Sequence, residues 1–279
     1  MLLLVDLDGV VYRGSDPVPG VAAVLAERAR LGDDVVYVTN NSMFYRTAYV
    51  TRLTGMGAPV SVDRVVTSAR ATALWIQEHQ PTIRRVLVVG AGGLEREMRD
   101  VGLEVVSAAH AATRLTQEDI GGWAAAGEPD AVVTGLDPQL TYGRIAVAAD
   151  CIRAGAMFIA TNRDATYPSE RGLRPGAGSI VSAIEVAAGS APAVEIGKPG
   201  PLLLQEAARV AGREALDAVM IGDALTDVAA GRAVGARTVL ILTGVTTPER
   251  LATVPAAERP TAVAVDATEL RAVLERLAG

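Results

Sequence analysis

Two aspartates stand two residues apart in Asp6-Leu7-Asp8-Gly9, directly after an apolar run at residues 2–5. On an extended segment, residues i and i+2 project to the same side. Both carboxylates would then enter one cleft, where they repel unless a cation neutralises them or one takes a proton. Such a pair suits a nucleophile beside an acid/base, with a metal bound nearby. A solvated strand end followed by a turn reads the same way, because Asp and Gly are ordinary turn formers.

Three further clusters carry chemistry. Thr39-Asn40-Asn41-Ser42 follows the apolar run 35–38; its hydroxyl and backbone N–H groups suit phosphate oxygens, or else it caps a helix. Gly197-Lys198-Pro199 places an ammonium on a constrained backbone, where it can balance a phosphate and an aspartate or be an ordinary surface charge. Gly222-Asp223-Ala224-Leu225-Thr226-Asp227 follows the run 218–221. Its two carboxylates suit a metal with a supporting acid, or an Asp cap. Together these are all-oxygen ligands plus one lysine. Mg²⁺ favours that chemistry, since it is often held by one or two carboxylates plus substrate phosphate.

The elements that position these groups are short. Apolar runs at 2–5, 35–38, 86–89, 131–133, 157–160, 218–221 and 238–242 lack alternation, the pattern of parallel strands covered on both faces. Helical patterns at 21–31, 69–80, 94–101, 142–154, 179–188 and 201–211 lie between them. This βαβα rhythm predicts an α/β fold with parallel sheets, and ligands bind at the carboxyl edge of such sheets.

Composition narrows the function. The chain has 279 residues, a net charge of −6 and 50% hydrophobic residues. That balance argues against non-specific nucleic-acid binding, which needs clustered Lys and Arg. Cys151 is the single cysteine and the histidines are His79 and His110, which argues against a Cys/His zinc site, and Cys151 reads as a packing residue. No stretch approaches the roughly 20 apolar residues of a membrane span, and the start MLLLVDLDG lacks the pattern of a signal peptide. The expected location is cytoplasmic, with no membrane partner. Gly90-Ala91-Gly92-Gly93 after the run 86–89 does not satisfy G-x-G-x-x-G and carries no cofactor expectation.

In this order the four clusters resemble the four motifs of the haloacid dehalogenase superfamily, and Asp6-Leu7-Asp8-Gly9-Val10-Val11-Tyr12-Arg13-Gly14 is similar to its NagD-like branch. That branch includes nucleotide, phosphoglycolate, glycerol-phosphate and pyridoxal-phosphate phosphatases. The resemblance implies a Rossmann-like core at 1–79 and 193–279, with an α/β cap domain inserted at 80–192. It implies Asp6 as nucleophile and Asp8 as the acid/base. Mg²⁺ would be held by the Asp6 and Asp223 carboxylates and the Asp8 backbone carbonyl. Thr39, Asn40 and Asn41 would hold the phosphoryl group, and Lys198 would pair with it and with Asp6. Asp227 would support the metal site, although many NagD-like proteins have one more residue between the two aspartates.

Thr161-Asn162-Arg163-Asp164-Ala165-Thr166-Tyr167-Pro168 resembles the branch's substrate-specificity loop. Tyr167 falls where pyridoxal-phosphate phosphatases have histidine, so it either contacts the leaving group or packs. Pro175-Gly176-Ala177-Gly178-Ser179 reads as a turn into a helix, without chemistry.

The expected function is Mg²⁺-dependent hydrolysis of small phosphomonoesters through an aspartyl-phosphate intermediate. The partner is a small phosphorylated metabolite, with a possible homodimer through the cap. The alternatives are a phosphometabolite-binding regulatory protein, or a phosphotransferase or phosphomutase.

Overall fold

The computed structural model describes residues 1–115, 122–169 and 172–279. It divides into two compact units. The first holds Met1–Thr39, Arg46–Thr67 and Lys198–Gly279; the second holds Asn40–Tyr45 and Ser68–Gly197. The helix Ser68–His79 thus belongs by its contacts with the second unit.

The first unit is built on a six-stranded parallel sheet. Its order is Ala262–Ala264, Arg237–Ile241, Ala218–Gly222, Leu2–Asp6, Asp34–Thr39, Val65–Thr67. Leu2–Asp6 is buried throughout, as its unbroken apolar run requires of a central strand. It lies between strands drawn from distant parts of the chain, with Leu2 beside Ala218 on one flank and beside Asp34 on the other. The chain order changes direction there, and at such a switch point the loops after neighbouring strands part to leave a crevice. The strands ending in Asp6, Thr39 and Gly222 open on it.

Helices cover the sheet with apolar faces. In Ala267–Ala278 the buried Leu270, Val273 and Leu274 follow helical spacing, and Asp266 caps the start by accepting from the Thr268 and Glu269 N–H groups at 2.8 and 3.0 Å. These residues join Leu3, Val5, Val219, Ile221 and Val239 in one core.

The second unit has its own five-stranded parallel sheet, in the order Val194–Glu195, Met157–Ala160, Ala131–Thr134, Arg85–Val89, Glu104–Ser107. The helices Tyr142–Arg153 and Ala177–Ala188 pack on it around Val132, Phe158, Val147, Cys151 and Ile180. Cys151 is fully buried, and burial raises its thiol to about 12, so it is a packing residue. An antiparallel hairpin, Thr166–Ser169 with Gly172–Pro175, follows the Met157–Ala160 strand. Among the described residues, no helix is long and apolar enough to cross a membrane.

The sequence-expected strands all form, each within a residue or so of its expected ends. The strands Val65–Thr67, Glu104–Ser107, Val194–Glu195 and Ala262–Ala264 were not anticipated. They are two to four residues long and all lie in outer positions of their sheets, where an apolar run need not be long.

Candidate active site

The turn after Leu2–Asp6 is shaped by Leu7, whose carbonyl accepts from the N–H groups of Val10, Val11 and Tyr12. Asp6 is buried at the strand end, and Asp8 follows it half-buried. Gly9 takes φ +83°, and a Cβ there would lie 2.3 Å from Asp223 Oδ2.

Lys198 organises the cluster. Its Nζ donates to Asp6 Oδ1 and to Asp227 Oδ1, both at 2.6 Å, and it is buried. Burial alone would lower its pKa, but Asp227 and Asp6 outweigh that and hold it above the ordinary lysine value. It is therefore an ammonium beside the prospective nucleophile. Burial pushes the Asp6 carboxyl up; Lys198 opposes the rise, and Asp227 and Asp223 reinforce it.

The helix Leu225–Ala233 fixes Asp227. Its Oδ2 accepts from the Ala224 N–H at 3.0 Å, ahead of the helix. One Asp227 oxygen thus accepts from Lys198 and the other from Ala224. Asp223 does not cap this helix; Ala224 occupies that position. Instead Asp223 Oδ2 accepts from the Val245 N–H at 2.7 Å. Burial, with the charge of Asp227, lifts Asp223 to about 6.

Asp6, Asp223 and Asp227 present carboxylate oxygens within 4.8 Å of one another. Three buried acids face one ammonium, and burial together with the neighbouring acids raises Asp6 and Asp223, so the donor set fits a divalent cation. Asp6 and Asp223 are the carboxylates that would hold it.

Burial raises Asp8 most, while Arg52 and Lys198 act in the opposite sense. Arg52 projects from the helix Arg46–Gly55, with its guanidinium carbon 3.6 Å above the Tyr12 ring centre. Sequence reasoning missed Arg52, because nothing in its spacing ties it to Asp8. It also missed Thr243 and Gly244. Thr243 Oγ1 donates to the Gly9 carbonyl at 2.7 Å, Arg13 Nε donates to the Thr243 carbonyl, and a Cβ at Gly244 would lie 1.8 Å from Asp223 Oδ2. A Thr-Gly pair after a strand was the available signal, and it also marks any ordinary turn.

Thr39 ends its strand buried in the first unit. Asn40 and Asn41 belong to the second unit. The helix after them begins at Arg46, so residues 40–42 form a loop after the strand and not a helix cap. Asn41 Oδ1 accepts from the Met43 N–H at 2.9 Å, and Ser42 Oγ accepts from the Leu136 N–H at 3.0 Å. Tyr167 lies in the second unit's hairpin and packs, partly buried, on that unit's core.

Comparison with known proteins identifies the family. A haloacid dehalogenase-like hydrolase family model matches residues 3–104, and a HAD-hydrolase-like model matches residues 195–270. The acid sugar phosphatase of Staphylococcus epidermidis is 36% identical over 247 residues, covering 88% of each chain. The p-nitrophenyl phosphatase from Archaeoglobus fulgidus superposes with a TM-score of 0.85 at 31% identity, covering 98% of each chain. The glycerol phosphate phosphatase from Mycobacterium tuberculosis, solved in complex with calcium and with magnesium, is 35% identical. In the calcium complex its TM-score is 0.81, with 96% of this chain and 74% of that one covered. The chain belongs to the haloacid dehalogenase-like hydrolases, in the NagD-like branch, and is a phosphatase.

Proposed function

We propose that the chain hydrolyses small phosphomonoesters through an aspartyl phosphate on Asp6, with Mg²⁺ as its cation. The observation that carries this reading is the buried Lys198 bridging Asp6 and Asp227, with Asp223 in the same cluster. An inert charge network would have little need of a third buried acid. The oxygen-only donors suit Mg²⁺, which the Asp6 and Asp223 carboxylates and the Asp8 carbonyl would hold. When bound, it neutralises charge on the phosphoryl oxygens.

The chain's own groups divide the remaining work. The Asp6 carboxylate attacks phosphorus, forming a P–O bond as the bond to the leaving oxygen breaks. Asp8, its pKa raised by burial, gives a proton to that oxygen. The resulting Asp8 carboxylate takes a proton from water, the water oxygen attacks phosphorus, and the Asp6–phosphate bond breaks to release inorganic phosphate. Lys198 offsets charge on Asp6 and the phosphoryl group. The Thr39 hydroxyl and the N–H groups of Asn40 and Asn41 hold the phosphoryl oxygens. Most of this catalysis is positioning and charge neutralisation.

The names of the relatives support sugar phosphates and glycerol phosphate as the first substrates to try. The test is phosphate release from a panel of phosphorylated metabolites, with Mg²⁺ or EDTA, for wild type and Asp6→Asn. Release that requires both the metal and Asp6 is expected. A folded Asp6→Asn protein with wild-type turnover would sink the mechanism. Transfer of phosphate to an acceptor other than water, with little free phosphate, would favour a phosphotransferase.

A further inference from the structure

The segment Thr161-Asn162-Arg163-Asp164 looks like the start of a leaving-group loop. In the structure two of its polar side chains grip Asn40 instead. Asn162 Nδ2 donates to the Asn40 carbonyl at 2.7 Å, and Ser68 Oγ donates to the same carbonyl at 2.6 Å. Asp164 Oδ2 accepts from Asn40 Nδ2 at 3.0 Å. Backbone and side chain of one residue are thus held together, and every partner lies in the second unit.

The Asn162 amide has one workable orientation. Its Oδ1 accepts from the Asp164 N–H at 3.2 Å, so its Nδ2 must face the Asn40 carbonyl. The reverse would set oxygen against oxygen. Asn162 is 3% exposed, so water cannot readily replace a lost partner.

The grip is backed from behind. The Gly178 N–H donates to the Asp164 carbonyl at 2.9 Å, and a Cβ at Gly178 would lie 2.4 Å from the Arg163 carbonyl oxygen. The turn at 175–179, to which the sequence reading gave no chemistry, thereby holds the loop in place. The Gly197 N–H donates to the Thr161 carbonyl at 2.9 Å.

Chain continuity carries the effect onward. Asn40 is bonded to Thr39, and Gly197 to Lys198. We infer that Asn162 and Asp164 are positioning residues for phosphoryl binding. They fix the peptide at Asn40, and with it the N–H groups of Asn40 and Asn41. This deepens the proposed function and rests on its assignment of residues 39–41 to the phosphoryl group. The role is indifferent to the leaving group, which separates it from a specificity contact.

The test uses the full chain with Asp164→Ala, Asp164→Asn and Asn162→Ala. The readouts are kcat and KM for p-nitrophenyl phosphate, glycerol phosphate and a sugar phosphate, and calorimetric binding of inorganic phosphate with Mg²⁺. Asp164→Ala and Asn162→Ala should lower kcat/KM by a common factor for all three substrates. That factor is roughly 10- to 100-fold, the loss a misplacement of about 1 Å brings. Phosphate binding should weaken in parallel. Asp164→Asn keeps an oxygen to accept from Asn40 and should recover most of the loss.

Losses that re-rank the substrates, or an Asp164→Asn protein as poor as Asp164→Ala, overturn the inference. If Asn162→Ala unfolds early, the two Asp164 variants decide. Failure of the underlying reading looks different, because the wild type itself would release no phosphate. Phosphate affinity then decides alone: binding weakened by Asp164→Ala retains the positioning role, and unchanged or absent binding ends it.

Discussion

Replacing Asp223 with Asn should make the metal-free protein more stable while removing its response to metal. Burial and the Asp227 charge raise Asp223 from an ordinary 3.8 to about 6. A raised carboxyl favours its protonated form in the fold, so the folded protein loses stability as pH rises through this window, and the loss is complete above it. At about 1.4 kcal/mol for each tenfold change, the full loss is about 3 kcal/mol. Asn keeps an oxygen to accept the Val245 N–H, but its NH₂ group enters a crowded pocket at a cost of about 1 kcal/mol. The net gain is about 2 kcal/mol, or roughly 4–8 °C in melting temperature for a chain of this size.

The assay is thermal melting at pH 8 in EDTA, repeated near pH 4 and again with saturating Mg²⁺. Asp223→Asn should melt above wild type in EDTA at pH 8, and the advantage should vanish near pH 4. In Mg²⁺ the order should reverse, since a ligand at 100 times its Kd stabilises the wild type by about 2.7 kcal/mol. An Asp223→Asn protein that melts below wild type in EDTA at pH 8 would refute the picture of crowded, cation-hungry carboxylates.

Lys198→Met strands Asp6 and Asp227 without their ammonium, and metal-free stability should fall by about 3–5 kcal/mol; a melting temperature in EDTA equal to that of wild type would contradict this. Gly244→Ala places a methyl group where Asp223 Oδ2 lies, so the Mg²⁺ concentration for half-maximal phosphatase activity should rise about 10- to 100-fold, as a metal titration would show. Asp130 accepts from the Arg85 and Arg84 N–H groups at 2.9 and 2.7 Å, which holds its carboxyl below the ordinary value. Its contribution is therefore present above pH ~4 and disappears as pH falls through its lowered pKa. Asp130→Ala should cost about 1 kcal/mol at pH 7, discounted for exposure, with the gap to wild type closing in acid; urea titrations at both pH values measure it.

The parallel strands were legible because strands covered on both faces demand unbroken apolar runs, and Leu2–Asp6 and Ala218–Gly222 have them. The acids of the cluster were legible because they sit at the ends of those runs. What escaped was set by contacts across sequence distance. Arg52 reaches the Asp8 region only because its helix packs beside Tyr12. Gly244 matters only because Asp223 leans against it. The two oxygens of Asp227 show their separate duties only when Lys198 and Ala224 are in place. Likewise, the polar residues of 161–164 resembled substrate contacts until the Asn40 carbonyl was found between them.

The central placement of Leu2–Asp6 has a consequence for synthesis. The sheet of the second unit uses only strands between Arg85 and Glu195, so it can assemble while the ribosome is still at work downstream. Leu2–Asp6 must wait for Ala218–Gly222 to emerge before its second flank is paired. Pairing across such separations is slow, and a bare apolar strand is open to wrong partners meanwhile. Until that strand, Lys198 and the segment just beyond the strand have been made, the nascent chain carries Asp6 without the ammonium or the other two acids of its cluster.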